Sequence, residues 1–225
     1  MDSFPRLHLS SRLLTQSCVL AAGGGLVGAS WGTLMSRAEA RDLSEKIVTY
    51  LSGTIEQSPS QYLGLSIEDL FLACNPEPES LPAEQLRSVL QFWSRLPKVD
   101  GVPDIVKITP EDVRSALGYL ILIDIDEENE DFRYALYGSR IAAVSGFDMT
   151  GRGVWELEST TTIQTFFAAC YIAAQRLRCP VYTIHEAPPA ITVSHWHRLI
   201  LPLGLKGEIK RFLVCNLPIF KGEVR

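Results

Sequence analysis

The chain has 225 residues, 46% of them hydrophobic, enough for one packed domain of ordinary size with an extension. Acidic side chains outnumber basic ones by 26 to 21, the net charge is -5, and no block of Lys or Arg is present that would neutralise a run of phosphates, which argues against nucleic-acid binding. The five cysteines are odd in number, scattered and without C-x-x-C spacing, so neither a zinc site nor a dithiol centre is indicated and reduced thiols in a cytoplasmic protein are expected.

Residues 1–36 form a Gly-rich leader, uncharged from Leu13 to Met35, that reads as a membrane tether, an export signal or a disordered segment. Leu13 to Met35 carries no charge, Arg12 and Arg37 flank it, and Gly24, Gly28 and Gly32 place small residues on one helix face, the pattern of a membrane tether through 13–35 at the inner membrane. Gln16, Ser17, Ser30 and the glycines dilute its apolarity below that of a Leu-rich span. Ala38-Glu39-Ala40 has the form of an export cleavage site, and Met35 is an alternative start.

From Arg37 to Glu56, Ala40, Leu43, Ile47, Leu51 and Ile55 recur at helical spacing among charges, which predicts an amphipathic helix. Ser58-Pro59-Ser60 breaks it, Ser66 and Asp69 predict a capped short helix through Phe71 and Leu72, and Asn75 to Glu79 reads as a stiff acidic linker closing a helical extension over 37–80. Pro82 suits the first turn of a helix on which Leu86, Val89, Leu90 and Trp93 share a face and which Pro97 ends. An extended connection over 98–110 follows, then a short helix with Thr109 as cap and Pro110 at its first position.

The run YLILIDI at 119–125 is apolar on both faces, so it predicts an inner strand covered on two sides. An acidic turn leads to a second strand, FRYALYG at 132–138, completing a hairpin, and Gly138, Gly146, Gly151 and Gly153 divide the next stretch into short turns. Thr160 to Arg178 predicts the most clearly marked helix of the chain, with a stripe of Ile163, Phe166, Phe167, Cys170, Tyr171, Ala174 and Leu177. Strands at 181–187, 191–203 and 209–220 complete an antiparallel set, the last two joined across Gly204 to Gly207.

This succession resembles a PAS domain, in the form of small bacterial proteins made mainly of one such unit. The residues that carry the likeness are Leu96-Pro97 with the Pro103 to Pro110 connector, FRYALYGSRI at 132–141, GFDMTGR at 146–152, CPV at 179–181 and HRLILPLGLKGE at 197–208, within a domain of about 81–220. Thr109 and Ala135 depart from the family pattern, where an acidic and a basic residue are common. The resemblance implies an α+β fold, a five-stranded antiparallel sheet with helices on one face, preceded here by the amphipathic helices. It also implies a non-catalytic sensory or protein-interaction module that binds haem, flavin, a small metabolite or nothing, and that pairs through flanking helices. A fold does not choose among these.

In that topology Trp155, Phe166, Phe167, Tyr171 and Trp196 converge on a candidate pocket, with His197 and Arg198 as polar members, although an aromatic stripe at helical spacing serves equally as solid core. Arg198 would clamp a carboxylate or pair with Asp124 or Glu186 across the sheet. His195 and His197 alternate on one strand near His185 and would hold a metal or haem, or sit on a half-exposed sheet surface. No Ser-His-Asp set, HExxH motif or phosphate loop can be assembled, so no enzyme and no resident metal are expected. Because strand 119–125 is apolar on both faces, either the helices from 37 to 95 or another chain must cover the second face. Leu43, Ile47 and Leu51 are therefore the candidate interface for a homodimer or a signalling partner.

Overall fold

The computed structural model describes residues 31–104, 108–187 and 191–222. Helix α1 (Trp31–Ser52) carries Ala40, Leu43 and Ile47 on its buried side. Ser58-Pro59, read from the sequence as a break, starts a helix instead. The Ser58 side chain accepts a hydrogen bond from the Gln61 amide, Pro59 occupies the first turn, and Gly64 in the left-handed region closes α2 (Pro59–Leu63). The short helix expected at Phe71 and Leu72 is a strand, β1 (Phe71–Cys74). Asp69, the residue that completed the cap pattern, has a positive φ of 47° that no helix continues through.

Helix α3 (Glu84–Arg95) buries Leu86, Val89, Leu90 and Trp93, the four residues predicted to share a face. A small hairpin of β2 (Lys98–Val99) and β3 (Val102–Pro103) lies within the extended connection. Where a Thr109-capped helix was expected there is only a 3-10 turn at Arg114–Ala116, because the Thr109 amide and hydroxyl both donate to the Asp112 carboxylate in a local turn.

The main sheet contains β1, β4 (Leu120–Asp126), β5 (Asp131–Tyr137), β6 (Val181–Glu186), β7 (Val193–Leu205) and β8 (Glu208–Phe220). Its order is β1-β6-β7-β8-β4-β5, and every pairing is antiparallel. Five of these are the expected strands, and β1 adds a sixth on the β6 edge. The β7–β8 turn uses Lys206 and Gly207 at φ 53° and 85°, the mirror-image turn that matches strand twist. Between β5 and β6 come α4 (Ser139–Ser145) and α5 (Thr161–Leu177), the latter capped by the Thr160 side chain on the Ile163 amide.

Helices cover both faces of the sheet, α5 on one and, on the other, α3 from the 37–95 segment expected to cover it. Because side chains alternate along a strand, Leu199, Leu201 and Leu203 of β7 point to α3 while Ile200 and its even-numbered neighbours point to α5. Helix α1 packs along α5, and its Leu43 and Ile47 share one buried cluster with Ala168, Ala169 and Ala173. An Arg176–Glu45 ion pair spans the two helices. The face proposed from sequence as an intermolecular interface is thus used within the chain. Leu43 and Ile47 are buried and Leu51 is half-buried against the same cluster. The small residues of α5 explain the difference, since they let a second helix approach a surface that the sheet does not occupy.

Cys74 and Cys179 form a disulfide, which corrects the expectation of reduced thiols. They are 105 residues apart in sequence, and only the pairing of β1 with β6, which sets Cys74 opposite Val181, brings them together. Cys170 and Cys215 are free and buried. No helix among the described residues is long and apolar enough to cross a membrane. Residues 13–30 of the candidate tether lie outside the described residues, and Ala38 to Ala40 lie inside α1.

Candidate functional site

A cavity of about 350 Å³ opens between the β6–β7–β8 surface, the start of α5 and the turn after α4. Its aromatic walls are Tyr134, Tyr137, Phe147, Phe167 and Trp196, and its polar floor is Arg198, Asn216 and His185. Glu158 and Glu186, both exposed, are the acidic members of the lining.

Local structure explains each placement. In the β4–β5 ladder Ile123 pairs with Tyr134 and Leu122 with Leu136, so Ala135 is an extra, bulged residue. The bulge lets Tyr134 and Tyr137, three apart, both face the cavity, with ring centroids 5.7 Å apart. Gly138 turns the chain from β5 into α4, where a Cβ would collide with the Gly118 carbonyl. Gly146, at φ 85°, ends α4 and presents Phe147. Trp196 and Arg198 are two apart on β7, and the register sets Arg198 opposite Thr183 on β6 and Asn216 on β8.

Arg198 is 2% exposed. One terminal nitrogen donates to the Tyr171 hydroxyl, and the guanidinium lies 4.3 Å from the centre of the Phe167 ring and 5.4 Å from that of Tyr171. Among the described residues its buried Nε has no hydrogen-bond partner, and neither do Thr183 Oγ1, His185 Nδ1 and Asn216 Oδ1. The two carboxylates considered from sequence are not its partners. Asp124 binds Arg211 at 2.5 and 3.0 Å, and Glu186 is exposed.

Burial pushes the Tyr134 and Tyr171 phenols up, so both are neutral near pH 7 and surround the cation with dipoles only. Burial opposes the charge on Arg198, and its net upward shift comes from coupling to Tyr171, Tyr134 and Tyr137 as those phenols ionise, well above neutral pH. Tyr137 is raised to about 12 by burial. His185 falls to about 3, through burial first and then the Arg198 charge, so its imidazole is neutral. Cys170 is likewise raised to about 12 by burial and takes no part in the cavity wall.

Of the residues singled out in the sequence, Phe167, Trp196 and Arg198 line the cavity, and Tyr171 supports the guanidinium from behind. Phe166 is fully buried and packs its ring edge-on to His185 at 6.1 Å. Trp155 is elsewhere, in a separate hollow beside Phe132 and Ile172. His197 is on the opposite face of the sheet, 2.5 Å from the Tyr182 hydroxyl, because consecutive strand residues point to opposite sides. His195 bonds Asp69 at 3.1 Å and lines no part of the cavity. The pair considered for metal or haem therefore faces away from it, and among the described residues no group of three or more His, Cys, Asp or Glu is placed to hold a metal ion. Sequence reasoning missed Tyr134, Tyr137, Phe147 and Asn216. Strand parity counted from Arg198 would have excluded His197, whereas the bulge that admits Tyr137 leaves no mark in the pattern.

A family model described as PAS domain matches residues 82–215, a region that holds β4 to β7, most of β8, and every cavity residue except Asn216. The chain belongs to the PAS domain family. No curated protein and no solved structure matches the chain. The PAS sheet and α5 thus provide the cavity, while β1 and α1 of this chain lie ahead of the matched region and extend the sheet and cover α5. A PAS domain is a sensory or interaction module, and the cavity sits where its sheet meets its longest helix.

Proposed function

We propose that this PAS protein is a non-catalytic sensor in which a small molecule entering the cavity alters the packing of α5 against α1 and thereby the hold on a signalling partner. The observation that carries the reading is the cavity itself, with three buried polar atoms in its lining, Arg198 Nε, His185 Nδ1 and Asn216 Oδ1, that lack partners among the described residues. Helix α5 is the natural relay. Ile163 and Phe167 touch the cavity, and the same helix packs on α1. A second copy of the chain is one candidate for that partner.

The titratable groups around the cavity support binding over bond-making. A general acid or base works best with a pKa near the ambient pH. Here the tyrosines are pushed far above neutrality and His185 far below it. The Cys74–Cys179 bond favours an oxidising compartment over the cytoplasm. Rapid alkylation of whole cells followed by mass spectrometry tests this, and free thiols at both positions would restore the cytoplasmic reading.

The functional test is a thermal-shift screen of the full-length chain against neutral, cationic and anionic metabolites, followed by hydrogen exchange of any hit. A saturable rise in melting temperature with altered exchange in α1 is expected. A blank screen at millimolar concentrations of every class would overturn the proposal.

A further inference from the structure

We infer, resting on the sensor reading above, that the ligand is a monocarboxylate with an apolar, preferably aromatic, body, seated with its carboxylate on Arg198. A neutral ligand would leave a buried guanidinium without a counter-charge, which is the costly arrangement. The neighbouring phenols are neutral dipoles, and no described carboxylate pairs with this cation. The free Nε is a charge-assisted donor that a carboxylate oxygen satisfies, and the planar fork of the guanidinium favours that geometry.

The register across three strands makes this a built site. Arg198 and Asn216 stand side by side on β7 and β8 in the cavity lining, with Thr183 next in line on β6 outside that lining, and each has a buried polar atom without a partner among the described residues. Asn216 Oδ1 is an acceptor beside the anion subsite, so a ligand hydroxyl next to the carboxylate adds a further bond.

Charge at the rim selects against a second anionic group. Among the described residues Arg198 is the sole cation in the cavity lining, whereas the other charged members are Glu158, paired with Arg152 at 2.9 Å, and Glu186. A dicarboxylate would place its second charge toward these groups, where the nearest cation, Arg152, is already paired with Glu158 and lies outside the described lining. The remaining wall of Tyr134, Tyr137, Phe147, Phe167 and Trp196 suits a flat apolar body, and about 350 Å³ accommodates a molecule of one or two rings.

The test is titration calorimetry of the full-length chain with phenylacetate, mandelate, phenylacetamide and succinate. Phenylacetate is expected to bind at least about tenfold more tightly than its neutral amide or succinate, and mandelate at least as tightly as phenylacetate. Arg198→Met is expected to erase the preference for phenylacetate over the amide, and Arg198→Lys to keep part of it. Should either variant fail to fold, the ranking of the four compounds on the unaltered protein decides alone. Equal or tighter binding of phenylacetamide or succinate overturns the ligand class while leaving the sensor standing. Absence of phenylacetate binding alongside a neutral or cationic hit in the wider screen does the same, and a blank in both removes the sensor as well.

Discussion

The two faces of the β6–β7–β8 surface are built from alternate residues of the same strands and yet differ in kind. Toward α3, Leu199, Leu201, Leu203, Leu213 and Leu217 pack against Leu86, Val89, Leu90 and Trp93. The polar atoms there are matched. Trp93 Nε1 donates to the Pro202 carbonyl at 2.7 Å, and His197 meets Tyr182. Toward α5 the face holds Arg198, His185, Thr183 and Asn216, each with a buried atom that nothing among the described residues satisfies. Hydrophobicity does not separate the faces, since both are mostly apolar. Satisfaction of polar groups does, and it marks one face as support and the other as a place for something else.

Truncations test this contrast most strongly. Phe166→Ala, at a fully buried position, should cost about 3 to 5 kcal/mol, and Leu199→Ala on the α3 face about 2 to 5 kcal/mol, both read by urea unfolding. A loss below about 1 kcal/mol at either would show that its face is not close-packed.

Reduction of Cys74–Cys179 comes next. The bond closes a loop with a sequence separation of 105, and opening it should remove about 2 to 4 kcal/mol, seen as a lower denaturation midpoint in dithiothreitol. A Cys179→Ser variant that melts like the oxidised protein would show that the edge strand holds without the bond.

Acid should weaken the protein through the α5 face. His185 has a folded pKa of about 3 against an ordinary 6.5, so between those values the unfolded chain binds a proton that the folded one does not. Stability from this group is therefore complete above pH 6.5 and declines as pH falls, by about 2 kcal/mol between pH 7 and pH 5. His185→Gln should flatten that slope. An unchanged slope would relocate the acid sensitivity.

The smallest expected effect has the opposite sign. Arg198→Met removes a buried charge that lacks a counter-ion, so the ligand-free protein should gain about 1 kcal/mol. Clear destabilisation instead would mean that the Tyr171 and Phe167 contacts satisfy the guanidinium, and the contrast between the faces would lose its sharpest element.

Much of the fold was legible because it depends on period. The stripe of α3, the stripe of α5 and the doubly apolar β4 each state their structure in the spacing of their apolar residues. Residues 58–74 were misread because local signals there compete. Ser58-Pro59, which suggests a helix break, starts α2 after α1 has already ended at Ser52, and the Ser66–Asp69 cap pattern yields to a strand pairing made with residues more than a hundred positions away. The role of α1 was hidden for a related reason. A helix face announces that it is buried without naming its partner, and the alanines of α5 gave no hint of a groove. At the cavity, Phe167, Trp196 and Arg198 were found by composition and strand position. His197 failed on parity, Tyr137 needed a bulge, and Trp155 depended on loop geometry that no periodicity encodes.

The placement of β1 and α1 separates the homologous segment from the folding unit. A fragment cut to residues 82–215 would retain the cavity residues other than Asn216, yet it would leave β6 with a raw, unpaired border and strip the cover from Ala168, Ala169 and Ala173. Such an excised piece has the attributes of a sticky template, and its self-association would be a property of the truncation and no guide to the assembly of the intact protein.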